Sequence, residues 1–256
     1  NARLARPRPR HAAALPPRIA FYFHCLHDDD LSPFAEFLTW LRASSYRFCS
    51  LDAYLAADGP EKRVFISFDD NYVSWHEQLP LFAKHGVTCT FYTNTVALRD
   101  RSTATQQQAY FDRIGHRGKR VALSSGELRE VAAAGHTIAC HTHTHRKLSE
   151  LPLPEGRQEM LESKHILEDL LGKPVEHFSY PFGMPRYFPR ALKDYAKTIG
   201  FRTIADAMPC MLHAPIDPMA IQRHTWRLQS DVDQNARDAA IAQRLFVKLF
   251  RRSPIG

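Results

Sequence analysis

Short apolar runs recur along this chain, separated by amphipathic stretches, and two of them stop abruptly at clusters of ionisable residues. Val64-Phe65-Ile66-Ser67-Phe68 is followed by Asp69-Asp70-Asn71. Thr137 to Cys140, opened by Gly135, is followed by His141-Thr142-His143-Thr144-His145. Apolar runs this short are strand-length, so both clusters are expected at strand C-termini. Further strands are expected at Ile19 to His24, Val87 to Thr93, Val175 to Tyr180 and Phe201 to Ala205, with a weak one near Ile221 to Trp226. Helical patterns fill the intervals. Ser32-Pro33 predicts a helix to about Ala43 with proline at its first position. Ser74 to His85 presents Trp75, Leu79 and Phe82 at helical spacing. Ser124-Ser125-Gly126-Glu127 offers a capping box for a helix to Ala134. Pro154 to Leu171 is amphipathic and closes at Gly172, and Pro189 to Thr198 follows the same rule. Residues 96–122, with Gln106-Gln107-Gln108, read as a polar, irregular excursion that shapes a cleft or an oligomer contact. Gln234 to Phe250 reads as a terminal helix. Strand and helix in alternation imply a parallel sheet with helices outside, open or closed as a barrel.

A chain of 256 residues with 44% apolar content suits one large domain. No apolar run reaches transmembrane length, and the first residues lack the apolar core of a secretory signal. The formal charge of +7 is concentrated at the ends: residues 1–18 carry +5 and residues 244–252 carry +4, which leaves about −2 for the body. That distribution argues against a nucleic-acid groove and leaves weak contact of the basic tails with anionic surfaces. The expected organisation is an Arg/Pro-rich arm over 1–18, a catalytic domain over 19–230, and a C-terminal helix with a basic tail over 231–256. Cys25, Cys49, Cys89, Cys140 and Cys210 are odd in number and widely spaced. They fit a reducing, cytoplasmic setting better than a disulfide framework, while the missing initiator Met leaves export open.

The i, i+4 spacing of His141 and His145 can aim two imidazoles at one ion, and one carboxylate of Asp69-Asp70 would complete a three-ligand set. The other carboxylate is then free to act as a base, and open coordination positions remain for water and substrate. Each cluster alone is equally a polar turn or a helix cap. Their coincidence at two strand ends favours the metal. The donor set suits Zn²⁺, and Co²⁺ or Ni²⁺ would satisfy it as well.

These residues resemble the NodB-homology polysaccharide deacetylases, including members that look circularly permuted. Ser67-Phe68-Asp69-Asp70-Asn71 is similar to the family's T/S-F-D-D-G motif, and His141 to Leu148 to its H-S/T-x-x-H motif. Ser179-Tyr180-Pro181-Phe182-Gly183 is similar to R-P-P-Y/F-G, and the likeness runs roughly from Ile19 to Trp226. The resemblance implies a distorted (β/α)7, TIM-like barrel as a single domain. It also implies metal-dependent removal of N-acetyl groups from an oligosaccharide, polysaccharide or lipid-linked glycan. Asp70, His141 and His145 would ligate the metal, Asp69 would be the base, and the Phe182 backbone N–H would stabilise the oxyanion. His143 would be structural. His24, ending the first strand, would be the general acid of a permuted member, ahead of His213 and His224, which lack the expected context. Three departures stand out. Asn71 replaces glycine at a turn where a left-handed residue is expected, Ser179 replaces an arginine that pairs with the base, and the late histidine motif has no match. Arg223 is a candidate to supply the missing cation from another strand. Deformylation or cyclic-amide hydrolysis at the same site, and a non-catalytic glycan-binding protein with a degenerate site, are the competing readings. Of Tyr22, Tyr72, Trp75, Tyr92, Phe182 and Trp226, most are expected in the core, with some left as sugar-stacking faces. The sequence does not specify an oligomeric state.

Overall fold

The computed structural model describes residues 15–56, 59–208 and 216–240. Residues 1–14, the expected helix and tail beyond residue 240, Cys210 and His213 lie outside the described residues. Among the described residues there are eight strands: β1 (Arg18–Phe23), β2 (Arg47–Phe48), β3 (Arg63–Asp70), β4 (Cys89–Thr93), β5 (Thr137–Cys140), β6 (His177–Ser179), β7 (Thr203–Ala205) and β8 (His224–Thr225). They form one eight-stranded sheet, seven of them in the order β7-β6-β5-β4-β3-β1-β8, and every pairing is parallel. β2, too short to stand out in the sequence, pairs with the start of β3. Residues 221–225 touch both sheet edges. Ile221 bridges Ala205 of β7, while His224 and Thr225 pair with Phe21 and Tyr22 of β1. The sheet thus curls into the distorted (β/α)7 barrel of a single domain.

The helices are α1 (Leu31–Ala43), α2 (Leu51–Leu55), α3 (Ser74–Glu77), α4 (Leu79–His85), α5 (Ala104–Arg113), α6 (Ser125–Ala133), α7 (Leu153–Leu171) and α8 (Arg190–Thr198). Residues 232–240 are helical as well. Three differ from the sequence expectation. α1 starts at Leu31 behind a 3-10 turn over Asp28–Asp30, so Pro33 sits inside the first turn rather than at its first position. The expected helix over 74–85 is two helices broken at Gln78, because Pro80 has no N–H to continue the ladder. The 96–122 excursion contains α5, started by a capping box in which Thr103 and Gln106 satisfy each other's backbone N–H. The capping box of Ser124 with Glu127 forms as expected, and α7 ends at Gly172 in the left-handed conformation.

Alternation along the strands divides the core in two. Ile19, Phe21 and Phe23 of β1, Val64, Ile66 and Phe68 of β3, Phe91 of β4 and Ile138 of β5 pack in the large cluster with the helices. The opposite set, Ala20, Phe65, Tyr92, Ala139, Ala205 and Ile221, clusters inside the barrel with Leu51 and Tyr54 of α2. Continuing that inner parity toward the strand C-termini reaches Tyr22, Ser67, Asp69, His141, Ser179 and Arg223. The barrel is apolar at its base and polar at its C-terminal mouth.

Candidate active site

Asp69 and Asp70 are the last two residues of β3, and both are buried. Successive strand side chains point apart, yet both carboxylates reach the mouth because Asp70 adopts φ 82. The left-handed residue is therefore Asp70 and not Asn71, whose side chain has a different task. Its amide nitrogen donates to the Asn94 carbonyl (3.1 Å), and its oxygen accepts from Leu123 N–H (3.0 Å). Asn94 N–H donates to the Asp70 carbonyl (2.9 Å), and its side chain donates to the His141 and Thr142 carbonyls. Asn71, singled out only as a replacement for glycine, and Asn94, which the motif reading did not single out, thus stitch the ends of β3, β4 and β5 together.

His141 and His145 converge on Asp70. His145 Nε2 lies 3.2 Å and His141 Nε2 3.7 Å from Asp70 Oδ1. The three donor atoms lie within 4.8 Å of one another, a spread one ion can draw together. His141 Nδ1 bonds the Ser179 carbonyl at 2.8 Å, which fixes the tautomer and leaves the Nε2 lone pair facing Asp70. Burial lowers the His141 pKa to about 4, so the ring is neutral and able to ligate at neutral pH. Burial alone would raise the Asp70 pKa. The His145 hydrogen bond and the nearby histidines outweigh it and hold the carboxyl well below the usual range. Tyr72 OH donates to Asp70 Oδ2 (3.1 Å). One carboxylate and two imidazoles with an oriented tautomer fit a divalent transition metal.

The loop carrying the histidines is held from α7. Buried Glu159 accepts from Thr144 N–H (2.7 Å), Thr144 Oγ (2.5 Å) and Arg146 Nε (3.1 Å). That carboxylate lies within the expected amphipathic helix and carried no motif signal. His143 turns the other way, toward Thr95 Oγ (2.8 Å) and Glu162 (3.5 Å), and does not reach the cavity. Thr142 and His145 also have positive φ, so the loop's sharp reversal places His141 and His145 side by side.

Arg223 fills the place left open by the second departure, Ser179. Its side chain is fully buried and all five N–H groups are used. Nη1 and Nη2 clamp the two Asp69 oxygens at 2.6 and 2.8 Å. Nη1 also reaches Ser67 Oγ (3.0 Å), Nη2 reaches Ser179 Oγ (2.7 Å), and Nε donates to the Asp206 carbonyl (2.8 Å). The guanidinium lies over the rings of Tyr22 and Tyr92. Ser179 is small enough to admit this arginine and offers it an acceptor. The signal for it was the inner-face parity of Ile221 and Arg223.

A cavity of about 510 Å³ opens over these groups, lined by Tyr22, His24, Asp69, Asp70, His141, His145 and Phe182 among others. His24 is exposed just beyond β1, against the ring of Tyr22. Phe182 has φ 65, and its N–H has no acceptor among the described residues. Gly183 fixes that turn. A Cβ there would stand 2.2 Å from the Ala207 Cβ, and its φ is 57. The Phe182 ring is 46% exposed, whereas Tyr72, Trp75, Tyr92 and Trp226 are buried, so Phe182 is the open aromatic face. His224 is buried beside Phe21, away from the cavity. Ile114, Gly115, His116 and Arg117 from the excursion form one cavity wall.

The family model described as polysaccharide deacetylase matches residues 56–204. The chain belongs to the polysaccharide deacetylase family. A putative polysaccharide deacetylase, YxkH of Bacillus subtilis, is 29% identical over 139 residues, which is 54% of this chain and 42% of that relative. The chain thus spans less than half the length of this curated relative. The fold of this deacetylase-family chain is similar to that of the Streptococcus pyogenes deacetylase PplD in complex with acetate. The TM-score is 0.69 at 16% identity, over 88% of this chain and 97% of that one. It is also similar to IcaB from Ammonifex degensii, with a TM-score of 0.64 at 19% identity, over 88% and 97% of the two chains.

Proposed function

We propose that this protein is a metal-dependent N-deacetylase acting on amino sugars of an oligosaccharide, polysaccharide or lipid-linked glycan. The observation that carries the reading is the pairing, at one cavity, of a metal-suited triad (Asp70, His141, His145) with a separate carboxylate, Asp69, clamped by Arg223. Membership of a family of N-acetyl amide hydrolases supports it. Asp70, His141 and His145 would hold the ion, with Zn²⁺ best suited to the mixed nitrogen and oxygen set. When bound, the ion supplies Lewis acidity toward water and the amide carbonyl.

The chain's own groups supply the rest. Asp69 accepts the proton of the attacking water, its carboxylate aimed by the Arg223 fork. The Phe182 N–H donates to the carbonyl oxygen as charge develops on it. His24, on the open side of the cavity, donates a proton to the departing amine. The exposed Phe182 ring beside His145 gives a sugar an aromatic face. The Arg223 clamp supports a working site over a degenerate one, since the base keeps a cation despite Ser179.

The test is acetate release from N-acetylated oligosaccharides together with metal content. Asp70→Ala and His145→Ala should lose both, and Asp69→Asn should keep metal while losing activity. Full activity of Asp70→Ala would overturn the assignment, and formate release without acetate release would move the activity to deformylation.

A further inference from the structure

A second cluster stands at the rim of the same cavity and shares no residue with the triad. We propose that Cys25, His27 and His116 form a thiolate-containing site for a soft or borderline divalent metal, of the class filled by Zn²⁺ or Co²⁺. Cys25 and His27 are two residues apart on the extended segment after β1, and His116 comes from the loop after α5. One ligand atom from each lies within 4.8 Å of the other two. Cys25 Sγ is 3.2 Å from His27 Nε2. The imidazoles of His27 and His116 stack at 17° with centroids 5.6 Å apart.

Three features favour an ion over a plain polar cluster. His116 Nε2 is buried without a hydrogen-bond partner among the described residues, a state that a metal bond relieves. Gly118 closes the cluster with no side chain. A Cβ there would stand 2.4 Å from His27 Cε1 and 3.0 Å from both His27 Nε2 and His116 Nε2, so the space at the two nitrogens exists only because the residue is glycine. The His27 backbone is fixed from the other side, where its N–H donates to Asp30 Oδ2 at 2.9 Å. One sulfur and two imidazole nitrogens select Zn²⁺ or Co²⁺ over Mg²⁺ or Ca²⁺. Binding would release the Cys25 thiol proton to solvent.

The location gives the site a role. An ion there would clip the 115–118 loop to the segment that follows His24, and both form walls of the catalytic cavity. Tyr72 joins the two centres: its ring lies 4.8 Å from that of His116, and its hydroxyl donates to Asp70. The site would therefore brace the cleft wall and the Asp70 carboxylate together.

The test is titration of the purified full chain with Co²⁺, read by stoichiometry and by the thiolate-to-cobalt charge-transfer band. The triad has no sulfur and cannot produce that band. We expect two equivalents, one of them carrying the band. Cys25→Ser should abolish the band and one equivalent, and His116→Gln should weaken that equivalent at least tenfold. A double variant, Asp70→Ala with His145→Ala, should keep the band. Absence of the band in the unaltered protein, its persistence in Cys25→Ser, or its loss in the double variant would each overturn the proposal.

Discussion

Replacing Arg223 with methionine should destabilise the protein more than any other single change at the cavity. The side chain is fully buried and Asp69 is 5% exposed, so the change strands a carboxylate in the barrel with no cation. It also removes donors from Ser67, Ser179 and the Asp206 carbonyl. Methionine fills much of the lost volume, so the penalty is electrostatic rather than a cavity term. Breaking one side of a buried ion pair costs about 3–5 kcal/mol. At about 2–4 °C per kcal/mol for a domain of this size, the thermal midpoint should fall by roughly 6–20 °C. Adding Asp69→Asn removes the stranded charge. The double variant should therefore be more stable than the summed single effects by about 2 kcal/mol, a coupling read from urea denaturation of all four proteins. Arg223→Lys keeps the charge but cannot span both carboxylate oxygens and both serines, and should fall between. An unfolding free energy for Arg223→Met within about 0.5 kcal/mol of the parent, or strict additivity in the cycle, would refute the buried-clamp argument.

Three further outcomes are expected. Burial holds His136 down to about 4 from 6.5, and its Nδ1 accepts from Cys89 N–H. The unfolded chain then binds a proton that the folded chain refuses, so stability is complete above about pH 6.5 and is lost as pH falls toward 4. His136→Asn should flatten part of that acid limb in urea melts, with His141 and His177, also held down by burial, contributing to the rest, and an unchanged limb would contradict this. Glu159→Ala frees the histidine loop from α7 and should weaken metal affinity about 10–100-fold by calorimetric titration, with unchanged affinity counting against the support role. Gly183→Ala meets Ala207 at 2.2 Å and should lower both the melting midpoint and kcat by displacing the Phe182 N–H. Parent-like kinetics would show that this N–H does not act.

The helices most legible in the sequence were those whose ends are locally encoded. Ser124 with Glu127 and the closing Gly172 act within one turn, so their pattern survives folding unchanged. α5 was hidden because its glutamine-rich surface gives little apolar periodicity, although Thr103 and Gln106 carried the capping signal. The break at Gln78 was written in Pro80, and the helical spacing of Trp75, Leu79 and Phe82 masked it. β2 is two residues long and exists only through its pairing with β3.

By itself the sequence determined the alternation of strand and helix and the position of two ionisable clusters at strand ends. Period and punctuation are local properties, and they were sufficient for that. It also supplied the ingredients of the site, down to Arg223 as a candidate partner for the base. Tertiary structure alone decided which atoms meet. Barrel curvature brings residues 221–225 beside β1 and seats Arg223 on Asp69, 154 positions away in the chain. Strained backbone at Asp70, Thr142, His145 and Phe182 turns side chains and an N–H against their local preference. Such conformations persist only because surrounding contacts hold them, and those contacts join remote parts of the chain: Asn71 with Asn94, Asn94 with Thr142, Glu159 with Thr144, and Gly183 with Ala207.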